Sequence, residues 1–242
     1  MRMRVEIIGK TANPQQVIYT AMHQDYCEEF AMEEWLSDIG RWPSESKSGE
    51  IIVKRLLAGG RGHFGPCEHS SIVFNCGYFP HSVMQQVRTH RLLSFDCQSN
   101  RYTGSRIVDA AVGKRDIEDV FYLRPVGTYT NRQGKRYQYT QQQRDRDLAW
   151  CLEAAKRYQQ LLAEGITEEH ARGIIPFDVR QHWVMSMNVR SLMHLLDMRW
   201  KKDAQLECQK LCDLIWPHFQ SWVPEIAAWY LQNRAKKANL AP

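Results

Sequence analysis

The sequence predicts a single domain of the α/β or α+β class with helices dominating its C-terminal half, and three observations predict it. Apolar runs rich in Val, Ile, Phe and Trp recur far apart, at 3–8, 70–79 and 177–187, each bounded by turn-forming residues. Elsewhere apolar residues recur at three- and four-residue spacing, the period of a helix with one buried face. At 242 residues, 43% of them hydrophobic, the chain can bury one substantial core or at most two small ones.

Each element follows from its residues. Residues 3–8 (MRVEII) read as a first strand. Asn13-Pro14 offers a capping amide and a preset φ for a helix running to about Trp35. The stretch 40–49, with Pro43 and three Ser, reads as a loop. A helix from about Gly49 to Ala58 stops at Gly59-Gly60. The Gly-rich GRGHFGPCEH then feeds the strand SSIVFNCGYF, and Pro80 ends it. HSVMQQVRTHR carries apolar residues at 83, 84 and 87 and reads as a helix, whereas LSFDCQSNRYTG reads as an irregular polar loop. Residues 105–139 are polar, punctuated by Gly and Pro, and predict loops with at most a short strand. Leu148, Leu152, Ala155 and Leu162 mark a long helix from Gln141 to Ala163, closed by Gly165. Thr167 caps a short helix, ITEEHAR, and Pro176 follows it. FDVRQHWVMSM reads as a strand and NVRSLMHLLDMR as a helix. Two more helices are expected near 203–216 and 224–237, the second with Pro224 in its first turn.

Composition narrows the function classes. The formal charge of +5 is below that of a dedicated nucleic-acid binder and suits a protein that binds small anions. The longest apolar runs are a few residues, too short to span a bilayer or to form a signal peptide. Seven scattered Cys (27, 67, 76, 97, 151, 208 and 212) suggest reduced thiols in the cytoplasm. Cys208 and Cys212 lie one helical turn apart without a second close-spaced Cys or His pair, so no metal site is expected. Eight Trp and ten Tyr fit stacking ligands, a subunit interface or a core of large side chains.

Three polar clusters stand out: 62–69, 85–102, and a set formed by Arg172, Asn188, Arg190, His194 and Arg199. In the second, a helix end carrying Arg88, His90 and Arg91 runs into Ser99, Asn100 and Arg101. The forked donors of Arg match phosphate, and main-chain N–H groups in a tight turn add to them. On physics alone a phosphate site and a solvated basic turn remain equal alternatives. In the third cluster, helical spacing puts Arg190 and His194 on one face. Structural ion pairs of Arg190 and Arg199 with Asp197 or Asp203 are the plainer reading.

Taken together and in order, the segments resemble the flavin-dependent thymidylate synthases. That family's signature is Arg-His-Arg, seven residues, Ser, and shortly Arg-Tyr. Here it is His90-Arg91, Ser99 and Arg101-Tyr102, with Thr89 in place of the first Arg and Arg88 one residue early. GHFGPCEH, EHARGIIPF, MNVRSLMHLLDMR and DAQLECQ resemble four further family segments. The similarity spans roughly residues 50–216, within one domain expected to cover 1–242.

The resemblance implies a thymidylate synthase-complementing-protein-like fold, with a mixed or antiparallel sheet flanked by long helices. It implies FAD as bound cofactor, NADPH and 5,10-methylenetetrahydrofolate as co-substrates, dUMP as methyl acceptor, and a homotetramer with shared sites. Residue by residue, it implies that Gln86, Val87, Arg88, Thr89, Cys97, Gln98, Ser99, Asn100, Arg101, Arg172 and Arg199 serve dUMP. Ser99 and Arg101 face the phosphate, and Arg199 polarises the uracil as the catalytic residue. His63, Gly65, Thr89, His90, Arg91, Cys97, Asn188, Val189, Arg190 and His194 correspond to flavin-contacting positions. Thr89, His194, Gly65 and Cys97 depart from the family's usual residues, offering different donors there. Three rivals remain: a flavin-free synthase using Cys67, a metal hydrolase using His63, His69 and His90, and a non-catalytic RNA- or nucleotide-binding protein.

Overall fold

The computed structural model describes residues 2–37, 42–60, 62–131 and 133–237. Its strands are β1 (Arg4–Lys10), β2 (Ser71–Pro80), β3 (Leu93–Cys97), β4 (Gly127–Thr130), β5 (Arg136–Tyr139) and β6 (Arg180–Asn188). Its helices are α1 (Pro14–Gln24), α2 (Ala31–Ser37), α3 (Glu45–Ile52), α4 (His81–Arg88), α5 (Asn100–Thr103), α6 (Ser105–Ala111), α7 (Gln141–Ala163), α8 (Glu168–Ala171), α9 (Val189–Arg199), α10 (Leu206–Trp222) and α11 (Pro224–Asn233). This is the mixed helix-and-sheet class that the sequence predicts.

Four strands form one sheet in the order β1-β2-β6-β3. The Thr11 N–H donates to the Ser71 carbonyl and the Val189 N–H to the Ser70 carbonyl. The ends of β1 and β6 thus lie beside the start of β2, and both run antiparallel to it. Strands β4 and β5 form a separate antiparallel hairpin, Gly127 opposite Tyr139 and Thr130 opposite Arg136.

The chain gathers into two compact units. The first holds Met1–Arg4, Cys76–Thr89 and Asp96–Trp183; the second holds Val5–Asn75, His90–Phe95 and Val184–Pro242. In the first, Ile107, Ala110, Val120, Phe121, Cys151, Ala155, Tyr158, Ala171 and Val179 bury a common core. Gly104 is needed there, because a Cβ would collide with the Tyr158 hydroxyl and lie 3.1 Å from the Asn100 carbonyl. In the second, α3 packs on α1 and α11, and α10 packs on α9 and α11. Gly49 lets α3 approach α1: a Cβ would sit 2.5 Å from Gln15 Oε1. Gln15 is buried and donates to Glu225 Oε2 at 2.6 Å, so the close approach also ties in α11.

Several expectations are corrected. Asn13 does not cap α1 through its side chain; it adopts a left-handed φ of 47°, which a small amide tolerates. The helix expected to reach Trp35 breaks after Gln24 and restarts at Ala31. Part of the expected 40–49 loop is helix, because the Ser44 hydroxyl accepts from the Lys47 N–H and starts α3 at Glu45; residues 40 and 41 lie outside the described ones. The polar stretch after Leu92 is not irregular: 93–97 is a strand, and Ser99 caps α5. Residues 105–139 contain α6 and the β4–β5 hairpin. In α7 the buried residues are Cys151, Ala154, Ala155 and Tyr158; of the predicted stripe Ala155 is among them and Leu162 packs partly buried against the same core.

Candidate active site

In the first unit, α4 brings Gln86, Val87 and Arg88 to its C-terminal end. Val83, Met84 and Val87 are buried and anchor the helix, so Arg88 and Thr89 are exposed. Val87 is fully buried; its side chain belongs to the core and only its main chain can meet a ligand. The Thr89 hydroxyl donates to the Gln86 carbonyl at 2.7 Å, closing its own helix end. Thr89 therefore cannot reproduce the forked donors of an Arg.

The run 97–101 continues from β3. Gln98 N–H donates to the His182 carbonyl at 2.8 Å, and Gln98 Oε1 is buried without a partner. Ser99 Oγ accepts from the Arg101 N–H at 3.3 Å. Asn100 Oδ1 accepts from Arg106 Nη2 at 2.8 Å, and Arg106 Nη1 donates to the Arg180 carbonyl at 2.6 Å. Arg106 is buried, which lowers its pKa to about 10, with Arg115 adding to the shift. A buried cation held this way fixes Asn100 firmly. Exposed Arg101 pairs with Glu169 at 3.0 Å. Glu169 lies in α8, which packs against α5 and is followed directly by Arg172. Cys97 is an exposed free thiol.

In the second unit, Asn188 caps α9, its Oδ1 accepting from the Ser191 N–H at 2.8 Å. That leaves its amide hydrogens for other work. Val189 is fully buried, so it too can offer only main chain. Arg190 Nη1 bonds Glu68 Oε1 at 2.6 Å, not Asp197 or Asp203. At the far end of α9, Arg199 Nε donates to His90 Nε2 at 3.1 Å. The His90 and His194 rings meet edge to face with centroids 5.4 Å apart. Burial, then Arg199, then His194 hold the His90 imidazole down at about 4. His90 is therefore neutral near pH 7, and with Nε2 accepting, its hydrogen sits on Nδ1. His194 Nδ1 is buried without a partner. Arg91 is exposed.

His63 rests on Tyr26, whose hydroxyl lies 3.2 Å from Nδ1, and its Nε2 is 3.8 Å from Asp25. Gly65 opens a tight turn, and a Cβ there would meet nothing nearer than His63 Nε2 at 3.9 Å. Cys67 is fully buried and its thiol is pushed up to about 12, mainly by burial. It holds almost no thiolate at neutral pH, which removes it as a nucleophile. Among the described residues, His63, His69 and His90 do not cluster; the one group with converging donors is His23, Cys27 and Glu34. Sequence reasoning also missed Arg106, Glu68, Glu169 and Tyr26. Their partners Arg180, Arg190, Arg101 and His63 are distant in sequence, so no local spacing announces these contacts.

The family model for thymidylate synthase complementing proteins matches residues 6–225. The chain belongs to that family. Two relatives named flavin-dependent thymidylate synthase show the same thing at full length. The protein of Halobacterium salinarum is 31% identical over 99% of this chain and 100% of its own. That of Haloarcula marismortui is 30% identical over 99% and 100%. Among solved structures, thymidylate synthase X from Helicobacter pylori with FAD and dUMP superposes with a TM-score of 0.69 at 19% identity, covering 97% of this chain and 99% of that one. A UMP/dUMP methylase from Streptomyces cacaoi bound with 5-Br dUMP gives 0.71 at 20% identity, covering 99% and 97%. Both share the family's fold. The chain is a flavin-dependent thymidylate synthase of this family.

Proposed function

We propose that the chain, acting as one synthase domain over 1–242, converts dUMP to dTMP with 5,10-methylenetetrahydrofolate as carbon donor, FAD as bound cofactor and NADPH as reductant. The observation that carries the reading is the Arg199–His90 pair. Uracil C5 is a weak nucleophile, and a fixed cation beside the charge developing at N3 and O4 stabilises the transition state more than the ground state. A guanidinium offers no general base, so the part of Arg199 is electrostatic. Neutral His90 holds the guanidinium through Nε without competing for its charge.

The other roles follow from the donors each residue offers. Ser99 and Arg101 hold the nucleotide phosphate, helped by the main chain of 97–101, while Arg172, Arg88, Gln86 and Asn100 border the same nucleotide. His63, Gly65, Thr89, His90, Arg91, Cys97, Asn188, Arg190 and His194 are assigned to FAD. The buried, unpartnered His194 Nδ1 and the open space at Gly65 fit such a group. Bound flavin supplies the hydride that completes the methyl group. Seven free thiols fit a cytoplasmic setting, and no described helix is long and apolar enough to cross a membrane. The active form is proposed to be a homotetramer with sites completed by neighbouring copies.

The purified protein incubated with FAD is expected to show flavin absorbance that bleaches with NADPH, to form dTMP from dUMP, and to sediment as four chains. A protein that neither retains flavin nor forms dTMP would overturn the reading.

A further inference from the structure

We propose that His23, Cys27 and Glu34 form a binding site for one zinc-like divalent cation. The three come from different parts of the chain: His23 from the last turn of α1, Cys27 from the connection, and Glu34 from α2. Their donor atoms all lie within 4.8 Å of one another. The Glu34 carboxylate is the hub, with Oε2 at 2.8 Å from His23 Nε2 and Oε1 at 2.9 Å from Cys27 Sγ. Metal–ligand bonds of about 2.0–2.3 Å place tetrahedral donors roughly 3.4–3.7 Å apart, so donor separations need change by at most about 1.4 Å.

The donor set selects the ion. One imidazole, one thiol sulfur and one carboxylate suit zinc and poorly suit magnesium or calcium, which prefer oxygen alone. The His23 ring is held in place, stacked on Tyr19 at 5.7 Å and set edge-on to Trp42 at 5.3 Å. A ligand already oriented in this way loses little freedom on binding. Without metal, the Cys27 thiol donates its hydrogen to Glu34, and that bond raises its pKa. On binding, the thiol proton leaves to solvent, the sulfur becomes a ligand, and the His23 hydrogen resides on Nδ1. Three protein ligands leave a fourth position for water.

The site would staple the break between α1 and α2. The same connection carries Asp25 and Tyr26, both against His63, so the staple would steady one edge of the proposed flavin region. The inference itself rests on no part of the synthase reading.

Calorimetric titration of the flavin-loaded protein with Zn²⁺ tests it. One zinc per chain is expected, with C27S and H23Q each weakening binding at least about tenfold. A second measurement needs no variant: zinc should protect Cys27, and not Cys97, from alkylation mapped by mass spectrometry. Absence of stoichiometric zinc, or zinc binding that C27S leaves intact and that gives Cys27 no protection, overturns the proposal.

Discussion

Arg101 and Glu169 form an exposed ion pair at 3.0 Å, and such pairs contribute little to stability. Arg101 is thus available to exchange its carboxylate for a phosphate at small cost. Arg101→Ala is expected to weaken dUMP binding by more than about tenfold, the size of one charge-assisted hydrogen bond, with little change in melting temperature; unchanged dUMP affinity in a direct titration would displace it from the phosphate. His90 makes a prediction of opposite kind, through protonation. Its imidazole is held from 6.5 down to about 4 in the folded chain, so as pH falls the unfolded chain takes up the proton first. The native state keeps this contribution above pH 6.5 and loses it between about 6.5 and 4. Half-buried His81 and His182 are also lowered, mainly by burial, and act in the same direction. His90→Gln should therefore flatten part, not all, of the slope of urea stability against pH there; an unaltered slope would contradict the assignment. These two residues also differ in how far sequence could reach. The signature pointed to both, but only the fold supplies Glu169 and Arg199 as their partners.

At the scale of elements, legibility followed periodicity. Strand β2, strand β6 and helix α9 were readable because their patterns are strong and Asn188 is a good capping residue. Helix α5 was missed because four residues are too few to show a period, and the signal was Ser99 alone. The α1–α2 break was missed because apolar residues continue through 26–36 while the connection is set by tertiary contacts, His23 and Cys27 both turning to Glu34. Helix α6 matters most for the nucleotide side. Its Arg106 joins Asn100 to the β6 main chain, although it touches no proposed ligand. Arg106→Ala should raise KM for dUMP several-fold more than it lowers kcat, and cost roughly 1–3 kcal/mol in urea melts, since it leaves the Asn100 and Arg180 acceptors without their charged donor. Equal loss in KM and kcat would mean that Arg106 does not position the loop.

For the whole molecule, sequence similarity and structural necessity have different extents. The family model ends at residue 225, and the segments that carried the resemblance end earlier still. Yet Asp197, 1% exposed and two residues from Arg199, is held by the Tyr230 hydroxyl at 2.9 Å and by the Arg234 guanidinium. Burial raises its pKa against the pull of Arg234 and Tyr230. Arg234 also lies over the Phe64 ring at 5.5 Å, beside His63 and Gly65. A chain cut after 225 would leave a buried carboxylate without its donors, a loss of about 3–5 kcal/mol where a buried pair is broken. Such a chain is expected to be recovered unfolded or to retain no flavin; a truncated protein that melts like the full one would refute this. Anyone designing an expression boundary from alignments would therefore cut through the lock, because the last turn of α11 is where the far end of α9 is fastened.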